Sequence, residues 1–250
     1  MMPTIEIIVH CYAEKIADFA SLLTAQLSSI CNHPPVNGHV IVSVCTTHTD
    51  SLTENVVEKF GSKAAAQRIP VTIVTRPYFT DMLFRRAIAR NQLAKFTKAD
   101  LVWFADCDYM VGPGTLDAML AVECDTLWHP KKVLIHKSHE EGDKFIAGIT
   151  PGRPVGGDLG RFDDHRVNIA IGGLQFVSGD VARARGYLDG TRWVKPVDPK
   201  GGFRDTQEDR VYRGSFERRQ SFEIPGLMRL RHSKSAFESS ESRLAQTAGK

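Results

Sequence analysis

The chain has 250 residues, 42% of them hydrophobic and 24% charged, with 12 prolines. That length buries a sizeable core without disulfides or structural metals, and the composition excludes wholesale disorder and fibrous repeats. The formal charge of +3, from 32 Lys and Arg against 29 Asp and Glu, is too small to name a partner by itself. Five cysteines, odd in number, widely spaced and never in a C-x-x-C pair, argue against a disulfide framework or a zinc knuckle. The opening MMPTIEIIVHCYAEK has no basic lead, its apolar stretch is too short for a signal peptide, and no run approaches a membrane span. A reducing, cytoplasmic location is the expectation.

Along the chain, the β-branched run Ile5–Cys11 predicts a strand, and Ile16, Phe19, Leu22, Leu23, Leu27 and Ile30 at helical spacing predict a helix from about Ala13 to Ile30. The alternation recurs as a strand over His39–Cys45 with a helix from about Ser51 to Phe60. It returns as a strand over Val71–Thr75 with a helix from about Asp81 to Phe96, and a fourth strand over Leu101–Ala105. Four near-continuous apolar strands separated by helices give an α/β fold, a mainly parallel central sheet with helices on both faces. Beyond Pro113 come a helix over about Gly114–Ala121 and a long polar stretch, Lys131–His165, read as a functional loop or small inserted hairpin. Two more apolar runs, Val167–Ile171 and Leu174–Val177, flank Gly172 and Gly173, the second read as a strand. A charged helix over about Asp205–Arg218 and short strands near Phe222 and Met228–Leu230 complete the order. Residues 1–232 form one domain in this reading, followed by a polar, flexible tail over 233–250.

The stretch LVWFADCDYM runs an apolar strand directly into Asp106, Cys107 and Asp108. Strand alternation sends the two carboxylates to one face and Cys107 to the other, at the carboxyl end of a central strand where open α/β sheets place ligands. Two like charges so close repel unless a cation separates them or one is protonated, and the pair is read as a site for a divalent ion and a diphosphate. The same D-x-D pattern also begins surface turns.

With Arg90 and Asn91 on the preceding helix, RRAIARNQLAKFTKADLVWFADCDYM resembles the GT-A fold glycosyltransferases, in particular the metal-dependent family-two type that uses nucleotide-diphosphate sugars. The order of further motifs fits: GGLQFVSGD with Gly172 and Gly173, DTQEDRVYR with Glu208 and Asp209, and RLRHS with His232. The resemblance implies a donor half to about residue 110 and an acceptor half over 111–232. It implies Mn2+ or Mg2+ on Asp106 and Asp108, completed by His232, and an E-D pair in which Asp209, or else Glu208, is the base of an inverting transfer. The loop after the first strand, with His10, Tyr12 and Glu14, would meet the nucleotide of a UDP- or GDP-sugar. Where family members carry acids after the second strand to hold the base, this chain has Thr46, Thr47, His48, Thr49 and Asp50, so Asp50 is the acidic candidate.

In such chemistry cations neutralise the leaving diphosphate while a base takes the acceptor proton. Arg86 and Arg90, four residues apart, share one helix face and could reach the sugar or diphosphate, with Cys107 between the aspartates. Gly172 and Gly173 would let backbone approach a sugar or acceptor, and Trp193 is a candidate stacking surface. His129, His136, His139 and His165 fit no zinc spacing and are taken as surface or acceptor-site residues. From Lys200 to Lys234, nine Lys or Arg stand against five acids, which would suit an anionic acceptor: a glycan, lipid-linked or small molecule, or nucleic acid. Two other readings stay open. A sugar-phosphate nucleotidyltransferase would usually carry a glycine-rich loop after the first strand, which HCYAEKIADF lacks, and a non-catalytic sugar- or nucleic-acid-binding module would keep the same fold.

Overall fold

The computed structural model describes residues 2–14, 16–156, 160–188, 190, 193, 195 and 205–233. A seven-stranded sheet runs through the centre. Its β-branched strands β1 (Thr4–His10), β2 (His39–Thr47), β3 (Val71–Tyr78) and β4 (Leu101–Asp106) lie parallel in the order β3-β2-β1-β4. Beyond β4 the sheet continues through β9 (Gln175–Ser178), β6 (Leu127–Pro130) and β10 (Arg219–Phe222). Only β9 runs against its neighbours, so the sheet is mixed and mainly parallel.

Alternation along the strands divides the core between the two faces. Ile5, Ile7 and Val9 of β1, with Trp103 and Ala105 of β4, pack with α1 (Asp18–Asn32) and α2 (Ser51–Ala66). Ile8, Val102 and Phe104 point the other way, into a second cluster with α4 (Arg86–Phe96), α7 (Gly179–Arg185) and α8 (Asp205–Gly214). His10 and Asp106, adjacent in register at the ends of β1 and β4, follow Ile8 and Phe104 and so belong to the α4 face. A smaller sheet, in the order β5-β11-β7-β8, is built from β5 (Tyr109–Val111), β11 (Leu227–Arg229), β7 (Lys132–His136) and β8 (Phe162–Arg166).

The structure differs from the sequence reading in four places. The first helix begins at Asp18, five residues late, and the second continues to Ala66. The helix expected over 81–96 is broken: α3 (Thr80–Leu83) ends at Phe84, and α4 restarts after Arg85, whose ψ of 80° is not helical. A strand that the sequence reading did not place is the charged segment FDDHR, just before the apolar run Val167–Ile171, whose pairing with β7 in an exposed hairpin leaves no need for an apolar face. The long polar stretch is therefore an inserted hairpin, with α6 (His139–Ala147) between its strands. The tail beyond Ser233 and the strongly basic positions Lys200, Arg204 and Lys234 lie outside the described residues.

Candidate functional site

The site forms where the carboxyl ends of β1 and β4 meet α4 and α8. The break at Arg85 sets it up. Restarting a helix leaves N–H groups without partners, and Glu208, 121 residues away on α8, supplies the acceptor: its Oε2 takes the Ala87 N–H at 2.9 Å, while Oε1 takes a bond from Arg85 Nη1 at 3.1 Å. That cap fixes α4 against α8 and aims Arg86 and Arg90, one turn apart, at the strand ends.

Arg86 then bridges two carboxylates, donating from Nη1 to Asp106 Oδ1 at 2.6 Å and from Nη2 to Asp209 Oδ2 at 2.9 Å. Arg90, fully buried, repeats the bridge from beneath, with Nη1 to Asp209 Oδ1 at 2.8 Å and Nη2 to Asp106 Oδ1 at 3.4 Å and to the Ala105 carbonyl at 3.2 Å. The Tyr187 hydroxyl also bonds Asp209 Oδ1, and the Tyr187 ring lies 5.1 Å from the Arg90 guanidinium. Asn91 accepts from the Tyr187 backbone N–H at 3.0 Å, which orients that ring. Burial favours the protonated form of Asp106, but Arg86 and Arg90 outweigh it and hold its carboxyl below the usual carboxylate range.

Both glycines of the G-G motif are set by these carboxylates. A Cβ on Gly172 would stand 2.3 Å from Asp209 Oδ2, and one on Gly173 would stand 2.3 Å from the Tyr109 ring and 3.0 Å from Asp106 Oδ2. The Gly173 carbonyl is anchored by Trp103 Nε1 at 2.8 Å. The close approach expected of a sugar or acceptor is made here by the protein's own acids.

Asp108 bonds a different arginine from Asp106, although after burial the Asp106 charge still helps to raise its carboxyl. Because β4 ends at Asp106 and residues 107–108 form a turn, strand alternation does not carry on to Asp108, which corrects the expectation of two carboxylates on one strand face. Asp108 Oδ2 accepts from Arg229 Nε at 3.0 Å, while its buried Oδ1 has no hydrogen-bond partner. Burial raises its carboxyl despite Arg229. Asp108 and His232 border one cavity of about 410 Å3, together with His136, His139 and His165. Burial lowers the His232 imidazole, partly offset by the charge of Asp108. Among the described residues no group of three or more His, Cys, Asp or Glu is arranged to hold a metal ion. The free oxygen of Asp108 and the nearby imidazole nevertheless suit an oxygen- and nitrogen-binding divalent ion whose remaining ligands come from elsewhere.

The residues expected at the nucleotide divide. His10 is 3% exposed, its ring nitrogens have no hydrogen-bond partner, and burial with the charges of Arg90 and Arg86 holds it well below the usual histidine value. Tyr12 is buried and stacked on Phe84, with centroids 5.1 Å apart. Cys107 is buried with its thiol pushed well up by burial. Asp50, 1% exposed, caps α2: Oδ1 accepts from the Thr53 N–H at 3.0 Å and Oδ2 from the Thr53 hydroxyl at 2.8 Å. The exposed acid at that corner is Glu14, which accepts from the hydroxyls of Thr47 and Thr49 at 2.8 Å each. Trp193 is buried with Arg85 5.7 Å over its ring, on the far side of the Glu208 pair. Tyr187 and Arg229 are site residues that sequence reasoning did not single out. Neither has a local signal, because each is recruited by a carboxylate more than twenty residues away.

Comparison with solved structures identifies the architecture as a GT-A-like glycosyltransferase fold. The chain is similar to the mannosyltransferase PcManGT from Pyrobaculum calidifontis, solved in complex with GDP-Man and Mn2+, at 15% identity and a TM-score of 0.53, over 94% of this chain and 59% of that one. It is also similar to the bifunctional glycosyltransferase WbbM in its apo form, at 13% identity and a TM-score of 0.50, over 88% of this chain and 39% of that one. The chain thus spans less than two thirds of the length of either protein, and at these identities the likeness is one of fold. No protein-family model and no curated protein matches the sequence.

Two predictions come from this geometry. Burial raises the Glu208 carboxyl from 4.5 to about 7, against the opposing pull of Arg86, the Ala87 N–H and Arg85. The folded state therefore holds this proton more tightly than the unfolded chain, a stabilisation that is full below 4.5 and lost as pH rises through about 7. Glu208→Gln keeps an acceptor for Ala87 and removes the titration. Relative to the native protein it should gain up to about 3 kcal/mol between acid and mildly alkaline pH, read by denaturant unfolding across pH. Separately, Gly172→Ala should cost about 1–3 kcal/mol by displacing Asp209, whereas Gly156→Ala, whose Cβ meets nothing within 4 Å, should leave the unfolding midpoint nearly unchanged.

Proposed function

We propose that the protein is a metal-dependent glycosyltransferase that moves a sugar from a nucleotide-diphosphate donor to a hydroxyl acceptor with inversion. The observation that carries this reading is the shared pair of arginines. Asp106 comes from the half expected to bind donor and Asp209 from the half expected to bind acceptor, yet both are held by Arg86 and Arg90. The fold supports it, since both similar structures are glycosyltransferases and one holds a nucleotide sugar with Mn2+.

In this mechanism Asp209 accepts the proton of the acceptor hydroxyl as the acceptor oxygen bonds to the anomeric carbon. The bond from that carbon to the diphosphate oxygen breaks, and its electron pair leaves with the diphosphate. Asp209 is preferred over Glu208 because its side chain keeps 11% exposure, while that of Glu208 keeps 1%. Asp108 and His232 would hold the divalent ion, with Asp106 beside them and donor phosphate oxygens completing the set. When bound, the ion supplies positive charge for the leaving diphosphate. Glu14, with Thr47 and Thr49, replaces Asp50 as the acidic group at the nucleotide corner. Trp193 and the loop at Gly172 and Gly173 lie on the acceptor side.

The test is calorimetric titration of UDP-, GDP- and CMP-linked sugars with and without Mn2+, followed by detection of released nucleotide. One nucleoside diphosphate sugar should bind in a metal-strengthened manner that Asp108→Ala abolishes. Asp209→Asn should retain that binding and lose about 100- to 10,000-fold in turnover. Absence of any nucleotide binding, or binding indifferent to both metal and Asp108→Ala, refutes the reading. Metal-strengthened binding with no turnover of any donor would leave a binding module.

A further inference from the structure

On the acceptor side a groove of about 780 Å3 opens between β6, β8, the segment 167–170, α8 and β10. Its rim carries Lys131, Lys132, Arg166, Arg213 and Arg219 against two carboxylates, Asp164 and Glu223. Those acids are loosely shared with the lysines, Lys131 to Glu223 at 3.9 Å and Lys132 to Asp164 at 3.7 Å, both pairs well exposed. Among the described residues, no carboxylate lies within ion-pairing distance of Arg166, Arg213 or Arg219. Three guanidinium groups without counter-charge around one concavity repel one another and raise the local concentration of anions.

The groove shares supporting elements with the site. Arg213 lies one turn beyond Asp209 on α8, and its Nη1 donates to the Ala170 carbonyl at 3.1 Å. Ala170 is two residues before Gly172, which packs against Asp209. The groove wall and the base candidate are thus positioned by the same helix and the same loop. Resting on the function proposed above, we infer that this groove binds the acceptor and that the acceptor is an acidic oligosaccharide, bearing carboxylate, sulfate or phosphate groups.

The lining favours a glycan over a polynucleotide. Single-stranded nucleic acids are held largely by bases stacked on aromatic rings, and no Phe, Tyr or Trp lines this groove among the described residues. Guanidinium forks matched to carboxylates, sulfates or phosphates, interspersed with Asn168, Gln220 and Ser221 as partners for hydroxyls, are what an acidic sugar chain needs.

The experiment is direct binding of a heparin-derived hexasaccharide, a galacturonate hexamer, neutral maltohexaose and an oligothymidylate of similar length to the full chain without donor. At least one acidic hexamer should bind, weaken steeply between about 50 and about 300 mM NaCl, and lose about tenfold or more in affinity on combined Arg166→Ala and Arg219→Ala. The unfolding midpoint of that variant should match the native protein, which separates lost contacts from lost folding. Failure of both acidic hexamers, equal binding of maltohexaose, tighter binding of the oligothymidylate, or indifference to the double variant each overturns the inference. Nucleotide-sugar titration on the same preparation keeps the two claims apart. Nucleotide binding without acidic-glycan binding removes the groove assignment alone, and the converse leaves the groove while removing the transferase reading.

Discussion

Arg90 is the group on which the rest of the structure depends. It is a fully buried cation, and burying such a charge is costly unless acceptors face it. Asp209, the Ala105 carbonyl, Asp106 and the Tyr187 hydroxyl face its two Nη groups, while its Nε has no hydrogen-bond partner. Those acceptors come from β4, α8 and the chain just after α7, so satisfying one guanidinium draws three separate parts of the chain to the end of the central sheet. Arg86 repeats the bridge nearer the surface. Removing one partner from a buried set of this kind costs about 3–5 kcal/mol, because the remaining charge is left without its counter-ion.

Around that centre, polar groups divide between building the site and facing it. Glu208 builds: it caps α4 and, with its carboxyl raised by burial, contributes no catalytic exposure. Asp50 builds in the same sense at α2. Asp106, Asp108 and Asp209 face the site, and each is steadied by arginine: Arg86 and Arg90 for the first and third, Arg229 for the second. The two aspartates of the D-x-D motif thus look to different elements. One shares Arg86 and Arg90 with Asp209 of α8, and the other bonds Arg229 of the small sheet and borders the cavity that His232 also lines.

Much of this was legible in the sequence because it is local. The parallel strands announce themselves as apolar β-branched runs, Arg86 and Arg90 fall on one face by helical spacing, and Asp106 follows its strand without a gap. The order of the later motifs led to Asp209 and to the glycines. What was not legible depends on long-range pairing. Nothing near Phe84 or Arg85 announces a helix break that only Glu208 makes tolerable, and nothing around Tyr187 or Arg229 announces its aspartate. The strand at FDDHR is charged on every side but its first residue, and only its partner β7 defines it. Asp50 shows two readings of one pattern: Asp50-Ser51-Leu52-Thr53 is itself an N-cap signature, and that role competes with any ligand role for the same oxygens. Of the basic excess between Lys200 and Lys234, Arg213 and Arg219 line the groove, which also draws Lys131, Lys132 and Arg166 from around the inserted hairpin.

The claim on which this account stands is that Arg86 and Arg90 energetically join the carboxylate of one half to that of the other. A double-mutant cycle between Arg86→Met and Asp209→Asn, read by denaturant unfolding at neutral pH, tests it without any ligand. A coupling energy of about 1–3 kcal/mol is predicted for a largely buried pair that shares a network. Additivity of the two substitutions within about 0.5 kcal/mol would contradict it.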